Sequence, residues 1–379
     1  MSDPDRQFMK MAIGEARKGL GRTSPNPIVG AVVVKNGRIV GKGYHKKAGT
    51  PHAEIHALRE AGENAGDATI YVTLEPCNHT GRTPPCTRAI VESSIKRVVV
   101  GMIDPNPLVA GSGCRFLMEQ GLDVVSGILE DECQAINRPF IKHITTGHPW
   151  VIMKAGCSLD GRLAVRSGQS GWITGEKSRH EVHRIRDRVD AILVGIGTAL
   201  QDDPSLTTRL KARKGHDPLR VVIDSRLRLS TTAKMISQDS DAETWVFCGP
   251  QRDKRQVEAL EKNGVRVWPV TVTPAGQVNL HDVLDVLGRE QKNSLLVEGG
   301  GRIHGAFLRE NLVDQVNLFL APVFLGADGI ALVDKLALDR VQDGPRFKIN
   351  RTRKFGDDIL VDGLFNFAMK KGKEENRRN

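Results

Sequence analysis

The spacing of hydrophobic positions changes period repeatedly along the chain, and each change marks an element. Residues 5–20 carry Phe8, Met11, Ala12 and Ala16 near helical spacing and predict an amphipathic helix. The stretch IVGAVVVKNG is an apolar strand ending on Asn36-Gly37, a pair suited to a two-residue hairpin turn, and RIVGKGYH supplies the return strand. A helix HAEIHALREAGE follows, then a strand ATIYVTL, a loop EPCNHTGRTPPC and a helix TRAIVESSI. Strands RVVVGMID and LDVVSGIL complete the unit. Strands alternating with helices after an opening hairpin predict a mixed sheet between helical layers.

FIKHITTGHPW, residues 140–150, reads as a basic connector with Thr, Gly and Pro. After it a second α/β pattern begins, with strands WVIMKAG, AILVGIG, RVVIDS, ETWVFCG, VRVWPV, SLLVEGG and VNLFLAPVFLG. The chain of 379 residues also exceeds the length at which a single core stops growing, roughly 250–300 residues. We therefore expect domains at 1–147 and 148–370 and a charged tail at 371–379. No internal repeat is present, and only the tail is of low complexity.

Composition narrows the class. No run of about 18 apolar residues exists, so no membrane helix is expected, and the charged N-terminus lacks a secretory pattern. The expected location is the cytoplasm, where six scattered cysteines serve as metal ligands or core residues rather than a disulfide framework. The net charge is +10, of which the last ten residues, KKGKEENRRN, supply +3. The remaining +7 suits an anionic ligand, either a phosphorylated metabolite or nucleic acid. An aromatic content of 4% offers few platforms for stacking single-stranded bases and favours the small molecule.

The chemistry concentrates around His52, Glu54, Cys77 and Cys86. His52 opens a helix after Pro51, Cys77 follows a strand, and Cys86 opens the next helix, whose dipole favours its thiolate. One histidine and two cysteines make the three-ligand set of a catalytic zinc, which lowers the pKa of a bound water from 15.7 to about 7. Glu54 lies two residues after His52, about 200° round a regular helix, so both reach one site only over the helix end. That is the arrangement of zinc deaminases, in which a non-ligand Glu carries protons from water to the departing amine. His56 and His79 are alternative ligands. HAEIH is not HExxH, because the Glu is displaced by one position, so a zincin protease is excluded.

Eight residues separate the two cysteines in EPCNHTGRTPPC, where most nucleoside and tRNA deaminases have C-x-x-C. With PNPIVGAVVV, HAEIHALREAG, DPNPLVAGSG, KAGCSLDGRLA, SGWIT, AILVGIGTALQDDPSLTTR and VEGGGRIHGAF, the chain closely resembles the bifunctional riboflavin-biosynthesis deaminase/reductase family over nearly its whole length. The resemblance implies a cytidine-deaminase-like α/β/α domain followed by a dihydrofolate-reductase-like α/β domain. It implies deamination of a diamino-phosphoribosylaminopyrimidine at zinc on His52, Cys77 and Cys86 with Glu54 moving the proton. Asn26 would hold the pyrimidine edge, and Arg82 would meet the substrate phosphate.

For the second half the resemblance implies reduction of the ribosyl to a ribityl chain by NADPH. The cofactor would contact Gly156, Trp172, Thr198, Asp202, Ser225 and the loop Gly300, Gly301, Arg302, Ile303, His304, Gly305 and Ala306. Substrate would contact Ser170, Arg186, Leu206, Arg209 and Glu298, with Lys154 as a further residue ordering the ribose phosphate. The residues themselves say less. VEGGGRIHGAF is a strand, three glycines and a helix, whose backbone amides suit a diphosphate, but it is not GxGxxG. Either Asp202 or Asp203 shapes the turn before Pro204. The resemblance also implies a homo-oligomer, dimeric through the second domain. The competing readings are a nucleoside or tRNA deaminase with an unrelated phospholigand-binding appendage, and a non-enzymatic binding module.

Overall fold

The structure, a computed structural model, describes residues 3–79, 84–167, 173–211 and 213–365. The chain divides into two compact units, Met1–His148 and Pro149–Asn379.

The first unit comprises α1 (Asp3–Ala16), β1 (Gly30–Lys35), β2 (Arg38–Tyr44), α2 (Ala53–Ala61), β3 (Thr69–Leu74), α3 (Cys86–Glu92), β4 (Arg97–Met102), α4 (Ser112–Glu119), β5 (Asp123–Ser126) and α5 (Glu130–Thr146). Its five strands are ordered β2-β1-β3-β4-β5. β1 runs antiparallel to both neighbours, and β3, β4 and β5 run parallel. The opening hairpin turns on Asn36 (φ 50°) and Gly37 (φ 74°), both left-handed as a two-residue turn of this kind requires. α2 packs closely on β2 because a Cβ at Gly41 would lie 2.2 Å from the Ala57 carbonyl oxygen. That approach sets the position of the N-terminus of α2.

Residues 140–146 are not a connector. They form the last two turns of α5, ended by Gly147 at φ 76°, so only residues 147–149 separate this helix from the next strand. Thr145 and Thr146, which read as loop formers, turn their hydroxyls back onto the Ile141 and Lys142 carbonyls (2.7 Å each). Ile136 and Ile141 pack against the first core.

The second unit comprises β6 (Trp150–Ser158), β7 (Arg162–Ala164), α6 (Glu176–Arg186), β8 (Ala191–Gly195), α7 (Ile196–Asp202), β9 (Leu219–Ile223), α8 (Lys234–Ser237), β10 (Thr244–Cys248), α9 (Lys254–Lys262), β11 (Val265–Pro269), α10 (Leu280–Arg289), β12 (Ser294–Val297), α11 (Gly301–Arg309), β13 (Gln315–Ala321), β14 (Ile330–Ala331), β15 (Phe347–Phe355) and β16 (Asp358–Phe365). A nine-stranded sheet is ordered β11-β10-β9-β8-β12-β6-β13-β16-β15, parallel from β11 to β13 and antiparallel at β16 and β15. β7 and β14 form a separate pair. Alternate residues of the central strands enter different cores: Leu193, Val221 and Leu295 one, Ile192, Val222 and Leu296 the other. Burial on both faces explains the unbroken apolar runs.

All seven strands expected in this half are present, with two differences. AILVGIG breaks at Ile196, where α7 begins, and VNLFLAPVFLG stops as a strand at Ala321. The hairpin β15–β16 was not expected. β15 lies at the sheet edge with most of its residues exposed, so its charged sequence KINRTRK hides the alternation.

Candidate active sites

His52 caps the N-terminus of α2 with extended backbone (φ −75°, ψ 170°), which lets its ring hang over the helix end. Its Nδ1 lies 3.2 Å from Cys86 Sγ and 3.5 Å from Cys77 Sγ. All three donor atoms lie within 4.8 Å of one another, and neither His56 nor His79 joins them. A tetrahedral metal with Zn–N and Zn–S bonds of about 2.0 and 2.3 Å holds its nitrogen and sulfur ligands about 3.5 Å apart, so the residues fit zinc. The Cys86 amide donates to Cys77 Sγ at 3.4 Å, so the N-terminus of α3 favours the Cys77 thiolate as well. Cys77 is pulled down to about 4, chiefly by the hydrogen bond from the Cys86 thiol, and the same bond pushes Cys86 up.

Glu54, in the first turn of α2, is 3% exposed. Burial pushes its carboxyl up to about 7, against the pull of the neighbouring His52. Its Oε2 is buried without a hydrogen-bond partner. A buried carboxyl with an idle oxygen beside the ligand triangle suits a proton carrier that meets water or substrate.

Asn26 lies beside this set through a residue the sequence reading passed over. His45, 2% exposed, places Nδ1 3.3 Å from the Pro51 carbonyl and Nε2 3.1 Å from Asn26 Nδ2, and its ring meets His52 edge-on. A carbonyl only accepts, so Nδ1 carries the proton and Nε2 accepts from the Asn26 amide. Asn26 therefore keeps its carbonyl oxygen and one N–H for a ligand. Glu75 is a second residue missed, although EPC was read. Its buried carboxylate accepts from the backbone N–H groups of Asp104 (3.0 Å), Gly111 (2.9 Å), Gly113 (2.8 Å) and Cys114 (3.1 Å). It thereby fixes the segment DPNPLVAGSG against the strand that delivers Cys77. Arg82 lies outside the described residues.

In the second unit Ser225, Thr198 with Asp202, and Glu298 with Gly300 follow the carboxyl ends of β9, β8 and β12, and Lys154 and Gly156 lie within the adjacent β6, on the side of an open parallel sheet where ligands bind. The register pairs Val297 with Met153, which puts Glu298 beside Lys154. Glu298 takes Lys154 Nζ at 3.0 Å and a fork from Arg186, with Nε and Nη2 each 2.9 Å from a carboxylate oxygen. Burial pushes Glu298 up, but the Arg186 and Lys154 charges outweigh it and hold the carboxylate well below its usual range. Arg186 is thus committed to Glu298 and to the Thr207 carbonyl (3.0 Å), whereas Arg209 is exposed. His183, unread in the sequence, accepts the Arg209 amide on Nδ1 at 3.2 Å.

Thr198 and Gly300 come together: a Cβ on Gly300 would lie 3.5 Å from Thr198 Oγ1, with nothing nearer. The flanking glycines serve the chain's own packing. A Cβ on Gly299 would meet the Ile303 side chain at 2.9 Å, one on Gly301 the Ala331 carbonyl at 2.3 Å, and one on Gly305 the Asp334 carbonyl at 3.2 Å. His304 is 1% exposed and bonds the Leu332 carbonyl through Nδ1 (3.0 Å). Arg302 and Ala306 share this helix, α11. Gly156 faces Thr174, whose Cγ2 would lie 3.0 Å from a Cβ there. Ser225 accepts the Val278 amide (3.1 Å). Asp203, at φ 38° and bonded to the Lys234 amide (2.7 Å), shapes the turn, which leaves the exposed Asp202 for a ligand. Leu206 departs from the expectation. Its side chain is 3% exposed in the core, so only its backbone, at φ 53°, is left for a ligand. Ser170 and Trp172 lie outside the described residues.

Residues 149–361 match the model of the RibD C-terminal domain, and residues 2–102 match the cytidine and deoxycytidylate deaminase zinc-binding region. The riboflavin biosynthesis protein RibD of Escherichia coli is 41% identical over 374 residues, covering 94% of this chain and 98% of that protein. The chain belongs to the RibD family. RibD of Aquifex aeolicus is likewise 41% identical, over 94% of this chain and 97% of that one. Among solved structures, RibD of Acinetobacter baumannii superposes with a TM-score of 0.87 at 38% identity, covering 96% of this chain and 99% of that one. The diaminohydroxyphosphoribosylaminopyrimidine deaminase/5-amino-6-(5-phosphoribosylamino)uracil reductase of Thermotoga maritima superposes at 0.83 and 37% identity, again over 96% and 99%. The fold class is accordingly a cytidine-deaminase-like domain followed by the dihydrofolate-reductase-like domain of RibD. Among the described residues no helix is long and apolar enough to cross a membrane.

Proposed function

We propose that the chain performs two consecutive reactions of riboflavin biosynthesis on one phosphoribosylated pyrimidine. The first unit hydrolyses the 2-amino group of 2,5-diamino-6-(5-phosphoribosylamino)pyrimidin-4(3H)-one, taking up water and releasing ammonia. The second transfers hydride from NADPH to C1′ of the opened ribose, with a proton to the nitrogen attached there, and yields the ribityl chain. The observation that carries the reading is the His52–Cys77–Cys86 triangle with the buried carboxyl of Glu54 beside it.

His52 Nδ1 and the two sulfurs would hold zinc, which would supply a Lewis acid that lets water ionise near neutral pH. Glu54 takes the proton from that water and returns it to the departing amine. Asn26 offers its free carbonyl oxygen and N–H to the pyrimidine edge, and Arg82 meets the phosphate. In the second unit Gly156, Thr198, Asp202, Ser225, Trp172 and residues 300–306 at the start of α11 would hold NADPH, which would supply the hydride. Substrate lies against Ser170, Arg209 and the Leu206 backbone, next to the Lys154–Glu298–Arg186 cluster. The enzyme is taken to be a cytoplasmic homodimer joined through the second domain, acting on a free metabolite rather than nucleic acid. Light scattering checks the dimer.

Supplying the diamino substrate with and without NADPH, and weighing the products, tests the assignment. Without NADPH the product should gain 1 mass unit as NH becomes O, and with NADPH a further 2 for two hydrogens. Glu54→Gln should keep about one zinc per chain and lower ammonia release at least about 100-fold. Full activity in that variant would overturn the role of Glu54.

A further inference from the structure

Asn137 sits in the interior of α5 with 1% of its surface exposed. Asparagine is a poor helix residue, and a buried amide without partners costs more still. Here both ends of the amide bond outside the helix. Oδ1 accepts the Ile28 N–H at 2.8 Å, and Nδ2 donates to the Ile28 carbonyl at 2.9 Å, across 109 positions of sequence. This double bond to one residue's backbone fixes which end of the amide is which. It also fixes the path of the chain two residues after Asn26.

Asn26 is then held from three directions. Its own N–H bonds the Thr23 carbonyl (2.8 Å), its Nδ2 donates to His45, and its exit from the loop is tied to α5. Attachment of this segment to the sheet does not need Asn137. β1 starts at Gly30, whose N–H bonds Thr73 Oγ1 (3.1 Å), and the strand pairs from there on both edges. A leucine at 137 would fill the same place beside Cys133, Ile136 and Ile141 but would leave the Ile28 N–H and carbonyl without this partner. Besides a longer bond from Nδ2 to the Cys133 carbonyl within α5 (3.4 Å), what the amide does is pair both groups of the Ile28 backbone.

We propose that Asn137 is a positioning residue for the deamination, acting through Asn26 by fixing the loop that presents it. The inference rests on the reading that Asn26 holds the pyrimidine edge. It places a determinant of the first reaction on the last helix of the first unit.

A double-mutant cycle in the full-length, zinc-loaded protein tests it. Deamination kinetics of the diamino substrate are measured for Asn26→Ala, Asn137→Ala and the double variant. Zinc content and NADPH oxidation with the deaminated substrate report folding. Asn26→Ala should lower kcat/KM about 100-fold. Asn137→Ala should lower it between about 10- and 100-fold by raising KM and lowering kcat at full zinc content, as expected for a reacting ring displaced by an ångström or less. In the Asn26→Ala background, Asn137→Ala should change nothing further. Equal losses in both backgrounds, or wild-type kinetics in Asn137→Ala, would overturn the inference. An Asn26→Ala variant with unchanged deamination would instead overturn the role of Asn26, and with it this route. If Asn137→Ala loses zinc or the second activity, Asn137→Leu is read in the same cycle, because its branched side chain fills the place of the amide and removes only the hydrogen bonds.

Discussion

Single buried side chains set several properties of this enzyme, and His304 shows how. Burial pushes its imidazole down to about 4, with the bond to the Leu332 carbonyl acting the other way. In an unfolded chain the same ring titrates near 6.5. Between those values the unfolded state binds a proton that the folded state does not, so stability increases with pH across the window. Acidification from pH 7 towards 4 should cost the second unit on the order of 3 kcal/mol from this residue. His183, also held down to about 4 by burial and by Arg186 and Arg209, adds to the same loss. Denaturant titrations at pH 4.5 and 7 check this: His304→Gln should narrow the gap between the two curves. At this scale the sequence was legible where chemistry is specific. His52, Glu54, Cys77 and Cys86 announce themselves by type and spacing. His45, Glu75, Asn137 and His183 did not, because each acts on a backbone group or a neighbouring amide brought close only by folding.

At the level of elements, α6 carries His183 and Arg186 to the second site, and its own start is held from far along the chain. Asp358, 3% exposed at the head of β16, accepts from the Gly175 N–H (2.8 Å) and the Ser178 hydroxyl (2.5 Å) through one oxygen. It thus caps a helix that lacks a capping side chain at its own N-terminus. Asp358→Ala should cost about 1 kcal/mol of stability, as for other lost caps. It should also raise KM for the reduction several-fold and leave deamination unchanged, which steady-state kinetics of the separate half-reactions will show. The hairpin that brings this residue was invisible in the sequence for a related reason. Asp358 and Asp362 are buried acids in an alternating strand, and β15 beside it is mostly polar. Buried polar groups break the apolar pattern on which strand recognition depends. The Asn36-Gly37 turn and the parallel strands, which keep that pattern, were read correctly.

At the scale of the molecule, two sheets carry two separate sets of chemistry, and only one includes metal ligands among the described residues. Prolonged treatment with a strong zinc chelator should therefore abolish ammonia release. NADPH oxidation with the deaminated substrate should persist at about its original rate, and added zinc should restore the first reaction. Parallel loss of both activities would contradict this division. The two units were legible from the repeated α/β pattern. What was misread is the segment before their junction, because the polar end of α5 resembles a linker.

Four amide hydrogens converging on the Glu75 carboxylate form what elsewhere would be an anion receptor, and here the chain supplies its own guest. Shortening that side chain would leave the receptor intact and vacant. Glu75→Ala should then lose deaminase activity at least about 10-fold, in line with four charge-assisted bonds removed at once. Formate or acetate should return part of it in a saturable manner, with chloride less effective because a single spherical ion has no pair of oxygens to share among four donors. Such chemical rescue would turn a structural strut into an externally controlled switch for the first reaction, with the second left running.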